Sequence, residues 1–276
     1  MEPVWQEEFD YGIVAKVEYS DFALNPRKEY SNLATMVCWH GRYDLGDEQP
    51  RCDPDEFVYQ LASESGDELL DWLGSVGSWY DVGEVTLQDL QDDVRRLIHN
   101  ARNRYYSAEQ FFREDWPMYR LAQKVLRGKT VAEYAHEVFE RSYFSLPLYL
   151  YDHGGITMST GRFSCPWDSG QVGFIYISKE KAAKMWSGLE GEELAKAAYA
   201  CMEAEVEEYD HYLTGQVYGY VVEDASGEVL DSCDGYLGDS GYVEAEARRA
   251  AEHYVEKARK EEAEANYWRD REVMTV

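Results

Sequence analysis

The densest run of reactive side chains is YDHGGITMSTGRFSCPWDSGQVGFIYISKEKA, residues 151–182. It carries Asp152, His153, Ser159, Thr160, Cys165, Asp168 and Ser169, interleaved with Gly154, Gly155, Gly161 and Gly170. If the two flanking strands pair, His153 and Cys165 approach each other at one end of a sheet. A thiol beside an imidazole becomes a nucleophile as its thiolate fraction rises. Asp152 or Asp168 would then orient the ring, as the third member of a triad does. That chemistry is a Cys–His hydrolase or transferase acting on a thioester, a peptide or a nucleotide-derived signal. The same residues also read as a turn, Cys165-Pro166-Trp167-Asp168-Ser169-Gly170, and an isolated cysteine is commonly just a small buried side chain. Two such residues twelve apart carry little specificity. No residue is therefore assigned as catalytic, and Cys165, His153 and Asp168 stand as the candidates.

Carboxylates form a second constellation. Glu203, Glu205, Glu207, Glu208 and Asp210 put five acids into eight residues. On a helix Glu203 and Glu207 lie one above the other and repel. Duplex DNA carries one charge per ~1.7 Å of axis, so carboxylates spaced along a helix approximate a phosphate row. A second acidic surface is expected from Glu223, Asp224, Glu228, Asp231, Asp234 and Asp239. Both would meet a basic partner, the alternative being a solvated face kept acidic for solubility. In the last helix Glu244–Arg248, Glu252–Glu256 and Glu256–Lys260 mix attraction with repulsion, and it reads as an ordinary solvated face.

Metal and cofactor chemistry have less to stand on. Cys38 and His40 would share one face of a strand and begin a site with Cys233 or Asp234, but a ligand quartet is missing. Asp231, Asp234 and Asp239 miss the EF-hand spacing. There is no Walker loop, GxGxxG, GxSxG or HExxH, so no metal and no cofactor is expected. The run His99, Arg102, Arg104, Tyr105, Tyr106, Phe111, Phe112, Arg113 interleaves bases with aromatics, and reads as solvated arginines beside core rings rather than a nucleic-acid contact.

Charge supports that choice. The 276 residues hold 54 acidic and 27 basic side chains, a net −27. The balance is uneven: residues 1–98 hold 22 acids and 7 bases, residues 99–200 hold 12 and 13, and residues 201–276 hold 20 and 7. Two acidic flanks enclose a neutral middle, which a uniformly acidified chain would not show. Such a surface repels nucleic acid and anionic lipid and attracts basic proteins. No apolar run approaches the ~20 residues of a membrane span, and MEPVWQEEFDYG carries acids where a signal peptide needs bases and then an apolar stretch. Five widely spaced cysteines (Cys38, Cys52, Cys165, Cys201, Cys233) without a CxxC fit a reducing compartment. The expectation is a soluble cytoplasmic protein, with no direct contact to nucleic acid or membrane, and compatible with a homo-oligomer.

The elements that must position these residues alternate in type. GIVAKVEYS (12–20) and NLATMVCWH (32–40) read as strands. Asp53-Pro54 starts a helical region in which Thr86, and Thr130 with Glu133, cap further helices. The period then changes: PLYLYDH (147–153), ITMST (156–160) and QVGFIYIS (171–178) are strands, and a helix begins at Ser178. A long helical region ends near Leu213, residues 216–238 form a hairpin around Ser226-Gly227, and a last helix runs from Tyr242 to about Tyr267. The expected fold is α+β, a mainly antiparallel sheet with a helical insertion and a C-terminal helix. It reads as one domain over 1–276, with 57–144 as a helical subdomain.

The segment 147–182, PLYLYDHGGITMSTGRFSCPWDSGQVGFIYISKEKA, together with YDHYLTGQVYGYVVED at 209–224, resembles a group of uncharacterised proteins of bacteriophages and prophages. The resemblance covers about a third of the chain and carries no assigned active site. It implies a viral accessory protein made in the host bacterial cytoplasm. With the acidic charge it implies an anti-defence inhibitor, a DNA mimic among the forms this takes, that binds a host nuclease or other nucleic-acid-processing defence complex. A structural or assembly protein of the phage particle is the other reading that this context allows.

Overall fold

A computed structural model describes residues 3–76, 83–101, 113 and 115–273. In chain order the first half contains β1 (Trp5–Glu8), β2 (Val14–Tyr19), α1 (Pro26–Glu29), β3 (Thr35–Cys38), α2 (Pro54–Glu64), α3 (Glu68–Val76), α4 (Leu87–Ala101), α5 (Trp116–Val125) and α6 (Val131–Ser142). The second half contains β4 (Tyr143–Asp152), β5 (Ile156–Ser159), β6 (Ser169–Ser178), α7 (Lys179–Met185), α8 (Gly191–Leu213), β7 (Val217–Glu223), β8 (Val229–Leu237) and α9 (Ser240–Val273). The fold is α+β with two antiparallel sheets, of order β1-β2-β7-β8 and β3-β6-β4-β5. The chain divides into two compact units: Met1–Asn32, Tyr149–Gly170 and Ala204–Val276 form the first, Leu33–Leu148 and Gln171–Glu203 the second. The helices of 57–144 fall in the second unit.

In the first unit, β2 alternates so that Ala15 and Val17 are fully buried while Val14 and Lys16 are only half so. These residues face Val243, Ala247 and Ala251 of α9, which recur every four residues and form one stripe. Two alanines in that stripe let the helix lie close on the sheet. Asp239 starts α9 by accepting the Gly241 N–H at 2.9 Å. The β7–β8 hairpin turns where Asp224 accepts the backbone N–H groups of Ser226 and Glu228, with Gly227 at φ 85°. Strand β1 was not expected, because three of its four residues are polar. Pairing with β2 leaves Trp5 and Glu7 half-buried, Arg248 of α9 covers the Trp5 ring at 4.7 Å, and the same guanidinium pairs with Glu7.

In the second unit, β3 pairs with β6 from Thr35↔Tyr176 to Cys38↔Gly173. A Cβ at Gly173 would overlap the Val37 carbonyl oxygen, so only glycine fits there. Helices α2, α3, α5 and α6 pack with Leu61, Leu70, Leu73, Leu126, Val138 and Phe139 in one core. Over it lies a ring cluster of Trp39, Phe57, Phe139, Tyr143, Phe174 and Tyr176. The expected starts are present: Asp53 accepts the Glu56 N–H, and Thr130 and Glu133 form a reciprocal capping box. Strand β4 starts at Tyr143, directly after α6 and four residues before the expected start at Pro147. Among the described residues no helix is long and apolar enough to cross a membrane.

Candidate functional site

Within the first unit, β4 and β5 form a tight hairpin, Tyr149↔Ser159 to Asp152↔Ile156, turning through Gly154 at φ 74°. The Asp152 N–H donates to the Asp168 carbonyl at 2.8 Å, which carries the 165–168 turn up to that hairpin. The three candidates His153, Cys165 and Asp168 do meet, with the carboxylate between the other two. Cys165 Sγ donates to Asp168 Oδ2 at 3.5 Å, and His153 Nδ1 lies 3.4 Å from the same oxygen. A thiol nucleophile needs a base to take its proton, and here its hydrogen-bond partner is a carboxylate. The site is open as well: the His153 side chain is 70% exposed and Trp167 is 92% exposed. The arrangement is that of a hydrogen-bonded surface turn, in which Ser169 also donates its hydroxyl to the Cys165 carbonyl.

The five acids of α8 separate into two sets. Met202, Val206 and Tyr209 bury one face of the helix, and the carboxylates beside that face turn inward. Glu205 pairs at 2.8 Å with Arg27, whose side chain is wholly buried. Asp210 accepts the Thr157 hydroxyl and the Met158 N–H, both at 2.7 Å. Glu203 and Glu207 are exposed and Glu208 is half-exposed. Glu205 and Asp210 thus make contacts within the unit, where the expectation had all five facing a partner.

The second acidic surface is likewise partly engaged. Glu223 pairs with Lys16 at 2.6 Å. Asp224 belongs to its own turn, where the Ser226 hydroxyl and then the backbone N–H groups hold its carboxyl below the usual range. The Asp234 carboxylate lies over Gly219, and Asp231 is half-exposed. His40 accepts the N–H groups of Arg42 and Tyr43 and stacks on Tyr43 at 5.0 Å, so its ring closes a turn after Cys38. Among the described residues no three His, Cys, Asp or Glu side chains are arranged to hold a metal. Most of the basic and aromatic run 99–113 lies outside the described residues.

A different acidic site emerges where α9 crosses the end of β1. Glu8 and Asp10 on one wall and Glu252 and Glu256 on the other converge on an open groove of about 690 Å³. Phe9 and Val255 make its apolar part, and Arg259 is its one cation, 3.7 Å from Asp10. The chain reaches this wall through a 3-10 turn, Asp10–Gly12, in which Tyr11 holds φ 64°. Tyr11 is the one non-glycine residue with positive φ among those described, a conformation that costs free energy for a bulky side chain. Its hydroxyl donates to Glu262 at 2.8 Å, tying the turn to α9, and that carboxylate raises the phenol's pKa. In sequence, Glu252 and Glu256 read as part of a solvated face. Their i,i+4 repulsion was the available signal, but Glu8 and Asp10 are some 240 residues away. Compared with known proteins, the chain matches no family model, no curated protein and no solved structure.

Proposed function

We propose that this chain is a non-enzymatic, phage-encoded inhibitor that binds the basic surface of a host nuclease or other defence complex in the bacterial cytoplasm. Its docking site is the groove of Glu8, Asp10, Glu252 and Glu256. That groove carries the reading: four carboxylates and a single guanidinium line one open cleft, an excess of negative charge suited to lysine or arginine side chains. The unit around it holds 28 acidic and 11 basic residues, a net −17, so long-range attraction and local recognition act on the same partner. Exposed Glu207 and half-exposed Glu208 belong to the same unit, and exposed Glu203 to the second. Direct nucleic-acid binding is disfavoured by the same charge. The Cys165–His153 alternative loses support because Asp168 stands between thiol and imidazole. The phage origin rests on the resemblance of segment 147–182.

The test is capture of partners from a phage-susceptible bacterial lysate with tagged protein, washed at rising salt. The expected result is a nuclease or defence complex held at low salt and released as screening increases. Reversing Glu8, Glu252 and Glu256 to lysine abolishes capture, and Cys165→Ser leaves it intact. Capture that survives the three reversals, or that Cys165→Ser abolishes, overturns the reading.

A further inference from the structure

The second unit carries a groove of the opposite sign. Lys124, Arg127, Lys129, Arg141 and Lys179 line an open cleft of about 830 Å³ between the end of α5, the 126–130 loop, α6 and the start of α7. Only two carboxylates, Glu137 and Glu140, share it, so its lining carries a net +3 in a chain with twice as many acids as bases.

In such a chain each cation has ample choice of anionic partners, yet these are sparsely paired. Lys129 pairs with Glu137, and Arg141 reaches Asp67 only at 3.8 Å while donating Nε–H to the Glu137 carbonyl. The Lys179 ammonium donates to a neutral acceptor, the Glu140 carbonyl, at 2.7 Å and sits over the Phe144 ring at 5.1 Å. Lys124 and Arg127 have no ion-pair partner among the described residues. The C-terminal dipole of α5 favours Lys124 in its last turn. At the adjoining N-terminus of α6, the capping box and the Val131 N–H to Val85 carbonyl bond already use the Thr130, Glu133 and Val131 N–H groups.

We propose that this groove binds a compact phosphate-rich small molecule, of the class of a nucleoside polyphosphate or inorganic polyphosphate. Size selects that class over a long polyanion. Three or four negative charges held within the cleft meet a lining of five cations and two carboxylates. The cleft volume is in the range that small-molecule sites occupy, roughly 300–1,000 Å³. Two guanidinium forks and three ammonium groups match phosphate oxygens as bidentate and point-charge partners. The groove lies in the second unit, and its ligand is independent of the partner reading above.

Calorimetric titration of the full chain with sodium tripolyphosphate at low salt tests this. One equivalent binds, and Lys124→Ala with Arg127→Ala weakens binding at least tenfold, the fold being verified by circular dichroism. Arg120→Ala, an exposed cation elsewhere on α5, leaves the affinity unchanged. Any of three results overturns the proposal: no binding at millimolar tripolyphosphate, affinity undiminished in the double variant, or tighter binding of a single-stranded oligonucleotide than of tripolyphosphate. The last would reassign the groove to nucleic acid. None of these outcomes bears on Glu8, Glu252 or Glu256, so the two proposals fail separately.

Discussion

Arg27 is 5% exposed and is the one buried charged residue among those described. It follows Pro26 in the short helix α1, where Asn25 accepts its N–H at 2.9 Å, and this local turn aims the guanidinium at Glu205. Taking two charges out of water is costly, and breaking a buried pair by removing one partner typically costs about 3–5 kcal/mol. Arg27→Ala is therefore expected to lower unfolding stability by about 3 kcal/mol in urea titrations. The double variant Arg27→Ala, Glu205→Ala should recover part of that loss. A single variant as stable as the parent would show that the pair contributes nothing. The same residue-level logic explains the α8 acids. A run of five carboxylates was legible in sequence, but which of them point inward depends on Arg27, Thr157 and Met158, all distant in the chain.

Strand β6 shows how an element converts alternation into chemistry. Its inward rings join those of α2, α6 and β4, and burial there, reinforced by Glu48, pushes the Tyr176 phenol up to about 12. Burial also raises Tyr59, Tyr134 and Tyr143 in the same unit. The folded state thus keeps the Tyr176 proton where an unfolded phenol, near 10, releases it. The stabilisation is complete below pH 10 and declines as pH rises from 10 towards 12. Urea midpoints should accordingly fall between pH 9 and pH 11. Tyr176→Phe should flatten that fall, while an equally steep fall in the variant would exclude Tyr176 as a contributor. Period-two alternation made β6 legible. It could not reveal that Gly173 is the point where β3 presses against it.

At the scale of the molecule, the net −27 is divided unevenly, −17 in the first unit and −10 in the second. Like charges at the surface oppose compaction, and salt screens them over about 10 Å at 0.1 M. Raising sodium chloride from 50 to about 500 mM is therefore expected to raise the thermal midpoint. Glu252→Lys with Glu256→Lys should raise it at low salt and shrink the salt effect, since it relieves the repulsion across the acidic groove. A midpoint independent of salt in scanning calorimetry would mean that ion pairs such as Arg248–Glu7 and Lys16–Glu223 already balance the surface.

Properties that depend on neighbours within a few residues could be read directly from the chain. The Asp53 and Thr130 caps, the Ser226-Gly227 turn and the alternation of β2 and β6 rest on spacings of one to four residues, and the α+β class follows from the order of such elements. Polar β1 escaped because an edge strand of Trp-Gln-Glu-Glu has no alternation of its own, and its pairing with β2 supplies the order. Segment charge was legible too, as it is a sum over residues. Which charges share a groove was decided by the tertiary structure. α9 carries Glu252 and Glu256 to Glu8 and Asp10, and the α5–α6 packing gathers five cations into one cleft. Electrostatic fields fall off with distance in space, and distance along the chain does not report it. The sequence therefore determined how much charge and which local folds the protein has, and packing alone determined where they meet.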